Sequence, residues 1–539
     1  MPHQPRSTIS SGLANLQSAP SIKTTRTTSL INTSLWPFIW VTAFALVLGL
    51  LSWRYDRRLN RPRWRLAGMV MVMLLAVGTA WLLTQYRELQ LNSHVIDSQL
   101  ITNVLWNTIH GRPWYSDIAA QNILGLHAFM NIILLLPFYL VFPTPESLLF
   151  GQCLYLIATV VLVYYLGCAV MLDRLSAANI AIAFLLYPPL AGCALSAVHP
   201  GNLAIPLLFG AFLAVERKRS IWFATLAILS AASWEASLLS VPFLGLWVAI
   251  SRPMLRRSSI AVIFVSLFLS GLYFLVLQPS FSAQSEHVSI VRHYSQLGAN
   301  KNEIIHTLLT DPMRVGQIIF HRDKIGFILH ILLPWLFLPL SAPLCALTAL
   351  PELAIILLSD PGGDLYRVNA FYTQVTTAAF CWATMIGSIR VARRFGSDHG
   401  RNIRAITTAL LVMALGLQWC YHHTPARQLC ELHAERSYAS IPTVPVPAGA
   451  RVVVTHGGLA RLFIEHRVTY PDPFMTPYAY SRNNNGSLKP EYVATLAEED
   501  EAGESILAVI RRNEELELIY EKPGKFIIYK VNARPKVVD

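Results

Sequence analysis

Charged residues are scarce in this chain. Of its 539 residues only 14% are Asp, Glu, Lys or Arg, against about 25% in a soluble globular protein, so a water-soluble fold is excluded. The seven cysteines (Cys153, Cys168, Cys193, Cys345, Cys381, Cys420 and Cys430) form no Cys-x-x-Cys pair and sit mostly in apolar runs, which indicates neither a zinc site nor a disulfide framework. Cys420 and Cys430 lie near enough in sequence to bridge but read as two free thiols. The polar stretches contain no Asp-x-Asp or His-Glu-x-x-His, so neither a metal nor another cofactor is implied. The first apolar run has no small-residue cleavage site, which argues against a signal peptide. No internal repeat suggests a transporter built from two halves.

What is present is apolar surface: 54% of residues are hydrophobic and the mean hydropathy is +0.44. Several runs are long enough to cross a hydrocarbon core about 30 Å thick. A net charge of +12 invites a nucleic-acid reading, but the basic residues fall in short clusters between apolar runs. These are Arg54 to Arg65, Arg217-Lys218-Arg219, Arg252 to Arg257 and Arg390 to Arg404. That pattern is the positive-inside signature of a membrane protein, with lipids and not nucleic acid as partners.

The fold class expected is an all-α polytopic membrane protein of about twelve transmembrane helices with a small C-terminal external α/β domain. Residues 1–35 read as a disordered tail and 36–421 as the membrane domain, with external loops at about 86–147 and 280–324. All basic clusters become cytoplasmic only if residues 128–142 lie along or dip into the outer surface without crossing. Residues 177–195, 325–340 and 342–358 each read as one helix, and 221–250 as a tight hairpin with Trp234-Glu235 at its outer tip. His199-Pro200 then occupies an outward turn. Residues 437–539 read as the external domain, with strands at 451–455, 467–470 and 492–496, short helices at 458–466 and 504–512, and a hairpin of 516–520 with 525–531.

The first long polar stretch, residues 94–127, holds Asp97, Asn107, His110, Arg112, Asp117 and His127. Asp97 is placed to cap a helix over 98–108; the same position, at the membrane–water boundary, suits a partly desolvated general base. Spacing alone favours the cap. Glu235, at the tip of an apolar hairpin, is costly there without a partner. His127 and His199 are candidates for holding a phosphate or an acceptor, although a His beside a Pro at a turn is commonly structural. Arg112, Arg292, Arg322, Lys324 and Arg367 are outer cations of the kind an anionic leaving group needs; of these, Arg322 and Arg367 are the preferred two.

Asp97, Leu105-Trp106-Asn107, His110-Gly111 and Gly125-Leu126-His127 resemble the opening motifs of a bacterial family of predicted multi-pass membrane proteins defined by a domain of unknown function. His199-Pro200, Glu235, Leu350-Pro351-Glu352-Leu353, Leu358-Ser359 and Tyr372 resemble its later motifs, and Pro447-Ala448-Gly449-Ala450 and Glu491-Tyr492-Val493 its tail. The likeness runs from about residue 90 onward. Asn103 departs from the pattern's Gln, and Trp234 and Ala236 replace charged neighbours of Glu235.

The family's layout is similar to the GT-C class of membrane glycosyltransferases, an analogy of architecture. That resemblance implies a polyprenyl-phosphate-linked sugar donor, transfer at the outer face, Asp97 as base with Glu235 in the catalytic centre, and His127, His199, Arg112, Arg322, Arg367 and Tyr372 as substrate contacts. Two rivals stand beside it: a transporter or flippase for a lipid-linked or small solute, and a non-enzymatic envelope protein. Ionisable residues gathered at the outer ends, and not at the bilayer midplane, favour surface chemistry over transport.

Overall fold

A computed structural model describes residues 36–54, 62–89, 97–119, 121–141, 143–170, 173–282, 293–360, 363, 365–396, 398–432, 444–447, 450–454, 467–469, 491–496, 514–522 and 526–533. The expected tail at 1–35, the short helices at 458–466 and 504–512, and Arg292 lie outside the described residues.

Helices dominate. Among the described residues three are long and apolar enough to cross a membrane: Ser147–Ala169, Pro253–Phe281 and Gln374–Arg394. A bent pair, Arg174–Leu185 with Pro188–Leu195, adds a fourth. Shorter apolar helices include Val70–Thr84, Ser220–Ala231 and Glu235–Ser251, so length and composition alone do not reach a count of about twelve spans. Residues 128–142 contain a 3-10 turn, Ile132–Leu135, and a six-residue helix, Leu136–Val141, far short of the roughly 20 residues a crossing needs.

Two stretches that read as single helices are broken. In the 177–195 stretch, Pro188 and Pro189 lack N–H groups and cannot continue the ladder, and the chain bends by 50°. The Gln418 amide donates to the freed Leu186 carbonyl at 2.7 Å, and His423 lies 3.1 Å from that of Pro188. In the 325–340 stretch the helix Arg322–Leu332 stops before Pro334. The chain then passes through Leu336 and Phe337, both left-handed (φ 48° and 58°), which costs about 1–2 kcal/mol per residue. The breaks meet: Tyr187 Oη donates to the Ile331 carbonyl at 2.8 Å, and its ring lies 5.0 Å from Trp335. Gly387 allows the Leu338 carbonyl to reach the helix Gln374–Arg394, where any Cβ would collide with it.

Ion pairs define one end of the bundle. Arg252 pairs with Glu216 at 2.9 Å and Arg404 with Asp173 at 3.6 Å. The helices Ala204–Glu216, Ser220–Ala231 and Glu235–Ser251 run up and down from that end. His199 and Glu235 therefore occupy the opposite end.

The described C-terminal residues form a five-stranded sheet from β1 (Arg451–Val454), β2 (Arg467–Thr469), β3 (Tyr492–Leu496), β4 (Glu514–Lys522) and β5 (Phe526–Ala533), in the order β2-β1-β3-β5-β4. β1 runs parallel to β2 and β3, while β5 is antiparallel to β3 and β4. Alternation along the strands gives one face Val452, Val454, Ala494, Phe526 and Ile528. These share a hydrophobic cluster with Leu100, Ile101, Val104 and Leu105 of the helix Asp97–Ile109 and with Phe129 and Trp234. The sheet thus packs with the segments that carry the polar residues of the opposite end.

Candidate active site

Five segments distant in sequence meet at the end away from the Arg252–Glu216 and Arg404–Asp173 pairs. The helix Asp97–Ile109 begins with Asp97. Its carboxylate makes no hydrogen bond to the helix's own N–H groups among the described residues, so the capping geometry is absent. Burial pushes its pKa up to about 6, while the neighbouring His127 pulls the other way. The residue is nevertheless partly exposed, so Asp97 does not lie inside a sealed core.

His127 follows the turn Ile123–Gly125, whose N-cap Asn122 accepts from the Leu124 N–H. Its Nδ1 lies 3.2 Å from Glu235 Oε1. Burial alone would push the imidazole down, but the Glu235 carboxylate, by charge and by hydrogen bond, and then Asp97 raise it above its ordinary value. Glu235 opens the helix Glu235–Ser251. The Ala128 N–H also donates to Oε1 at 3.2 Å, and Tyr273 Oη donates to it at 3.4 Å. Glu235 Oε2 is buried with no partner among the described residues. Tyr273 starts a π-helical turn, Tyr273–Leu277, inside a long apolar helix; such bulges recur at functional sites.

His199 caps the 3-10 turn Pro200–Leu203. Its ring stacks on Phe371 at 4.1 Å and meets Phe129 and Trp234 edge-on at 5.0 and 5.3 Å. Phe129 also stacks on His127 at 4.9 Å, so both histidines share one aromatic wall. Tyr372 joins it, 6.1 Å from Trp234 and 4.6 Å from Phe371.

Asp97, His127, His199, Glu235 and Tyr372 are thus brought together, with Trp234 supplying wall. The arginines are placed otherwise. Arg112 grips Asp117 with both arms at 3.0 Å and also donates to Asn107. Asn107 donates to Asp117 at 2.9 Å, and Asn103 accepts the Asp117 N–H at 2.8 Å. This is a lock on the loop after the helix Asp97–Ile109, which accounts for Arg112 without a ligand. Arg322 is exposed at the start of the helix Arg322–Leu332. Arg367 is half-buried, four residues before Phe371, with interactions of its own. Lys324 is buried, its ammonium donating to the carbonyls of Leu357 (2.7 Å) and Ser359.

Tyr273 and Gln374 are the site residues that sequence reasoning missed. Glu352, noted only as part of a motif, accepts the N–H groups of Val375 at 2.9 Å and Thr376 at 2.6 Å. It caps the helix Gln374–Arg394 from a distant segment and so fixes the approach of Phe371 to Gln374. Among the described residues no group of three or more His, Cys, Asp or Glu is placed to hold a metal ion. Chemically, the cluster offers a carboxyl poised near neutrality, a carboxylate–imidazole pair beside it, and a wall of aromatic rings.

A family model described as predicted membrane protein (DUF2079) matches residues 87–448. A crystal structure of ArnT from Cupriavidus metallidurans bound to undecaprenyl phosphate is similar at a TM-score of 0.47 and 10% identity, over 87% of this chain and 98% of that one. The apo structure of the same protein gives 0.45 and 10% over 86% and 98%. With one residue in ten shared, no residue here takes a role from ArnT. No curated protein matches the chain.

Proposed function

The chain belongs to the DUF2079 family of predicted membrane proteins, and from its carboxylate–histidine cluster we propose that it is a GT-C-like membrane glycosyltransferase. It transfers a sugar from a polyprenyl-phosphate donor to an acceptor hydroxyl at the outer face. The observation that carries the reading is Asp97, a partly exposed carboxyl raised to about 6 beside the His127–Glu235 pair. A base works best when its pKa lies near the operating pH. Asp97 takes the acceptor's proton as the oxygen attacks the anomeric carbon, and the polyprenyl phosphate leaves. His127, whose protonated form Glu235 favours by charge and hydrogen bond, balances charge on the departing phosphate. The opposite end of the bundle, with Arg252 and Arg404, lies in the cytoplasm by the positive-inside rule. The site and the C-terminal sheet packed over it are then external.

The helix breaks at Pro188 and before Pro334 are the feature that favours transport, since transporters unwind helices around a midplane site. Here the carbonyls at the breaks are occupied by Gln418, His423 and Tyr187, which weighs against a substrate site there. Vesicles containing the purified protein and radiolabelled polyprenyl-phosphate sugars test the proposal. Release of polyprenyl phosphate with a labelled acceptor supports it; movement of intact donor between leaflets without bond cleavage sinks it.

A further inference from the structure

We propose that His199 is a neutral hydrogen-bond donor, presenting its Nε2–H to an acceptor oxygen of the lipid-linked sugar, with Gln374 as the positioning residue that helps hold it in this form. The identity of the ligand rests on the glycosyl-transfer reading; the form of the ring does not.

Gly201 N–H points at His199 Nδ1 from 3.2 Å. A backbone amide can only donate, so Nδ1 must offer its lone pair, and the single proton of the neutral ring sits on Nε2. The Gln374 amide approaches the same Nδ1 at 3.3 Å. Since that atom already accepts, the Gln374 nitrogen faces the ring and Oε1 points away, buried and without a partner among the described residues. Protonating Nδ1 would set an N–H against two donors. Burial, and secondarily the charge on His127, also push the imidazole well below its ordinary pKa.

Packing supports the ring in this arrangement. Phe371 stacks on one face, and Phe129 and Trp234 meet it at right angles. On the Gly201 side a Cβ would lie 2.7 Å from Nδ1, so the close approach of this amide requires glycine.

Among the described residues Nε2 has no protein partner, and it is not sealed away from the outside, so it is free to donate to a ligand oxygen. Glu235, beside Trp234, offers a buried carboxylate oxygen that has no donor among the described residues. A donor to one oxygen and an acceptor for a hydroxyl, along one aromatic wall, is the complement of a hydroxylated ligand. The acceptor oxygen belongs either to the phosphate or to the sugar of the donor lipid.

Nitrogen-15 NMR of histidine-labelled protein in micelles, with the His199 signal identified by its loss in His199→Asn, reads the ring directly. The expected result is the Nε2–H form at all pH values from about 5 to 8. An Nδ1–H ring, or a ring that titrates near its ordinary pKa of about 6.5, overturns the proposal without touching the glycosyl-transfer reading. Gln374→Glu, which sets an anionic acceptor against Nδ1 where an amide now donates, is expected to make the ring titrate within the range of about pH 5 to 8; an unchanged spectrum removes Gln374 from the role. Decyl phosphate and decyl glucoside are then titrated separately. The compound that shifts the Nε2–H signal supplies the oxygen, and no shift with either overturns the ligand assignment. In a transfer assay His199→Gln, which keeps a donor near the Nε2 position, should hold KM close to wild type. His199→Asn should raise KM roughly tenfold, the worth of one hydrogen bond. Equal KM values in the two variants would contradict the donor role.

Discussion

Replacing Asp97 by Asn distinguishes a desolvated base from a helix cap by the sign of a stability change. Burial lifts Asp97 from 3.8 to about 6; that difference of about two units corresponds to roughly 3 kcal/mol. Because the side chain is only partly buried, solvent screening reduces this to about half. The folded value lies above the unfolded one, so the group's contribution is complete below about pH 4 and is lost as pH rises through about 6. Asparagine carries no charge and escapes the loss. Asp97→Asn should therefore unfold up to a few degrees above wild type at about pH 8, and the gain should shrink as pH falls from about 6 to 4. Intrinsic-fluorescence melts in micelles across that range provide the assay. A carboxylate capping helix N–H groups has a lowered pKa, so a cap predicts a variant less stable than wild type above about pH 4. A melt of that sign would refute the reasoning.

Three further substitutions test other parts of the account. Arg112→Ala should lower stability by about 1–3 kcal/mol, because it strips the buried Asp117 of its bidentate partner, yet leave the donor KM unchanged; a raised KM at intact stability would return Arg112 to the binding site. Glu352→Ala should cost about 2–4 kcal/mol by orphaning two buried N–H groups, with Glu352→Gln milder, as melts of both would register. Glu235→Gln removes the charge that raises His127; the imidazole should lose its proton at lower pH, and the alkaline limb of the transfer profile should move down with it. An unmoved limb would separate His127 from the chemistry.

Polar residues at the ends of apolar runs were the legible part of the site. Asp97, His199 and Glu235 stand out because each interrupts a hydrophobic pattern where a membrane segment ends, and the alternation of basic clusters puts them at one end. The strands of the C-terminal sheet are readable from their β-branched runs and from the Pro-Gly before Phe526. Tyr273 is not readable, since its hydroxyl lies within a run that looks like lipid-facing helix and acquires meaning only through Glu235, 38 positions away. Gln374 becomes a site residue only because Glu352 and Gly192 let its segment pack closely, the latter where a Cβ would meet the backbone of Val368 and Asn369. Arg112 looks like a free outer cation in sequence; its partner is five residues on, a spacing that no helical or strand period marks. The breaks at Pro188 and Pro334 are visible as prolines, but their meeting at Tyr187 and Trp335 is a fact of tertiary packing.

The decisive comparison is sugar transfer from labelled polyprenyl-phosphate donors by wild type and Asp97→Asn reconstituted into vesicles. Transfer by wild type should rise with pH through a midpoint near 6, and the variant should give none above background. Equal transfer by both proteins would remove Asp97 from the reaction; a folded wild type that cleaves no donor would contradict the transferase reading itself.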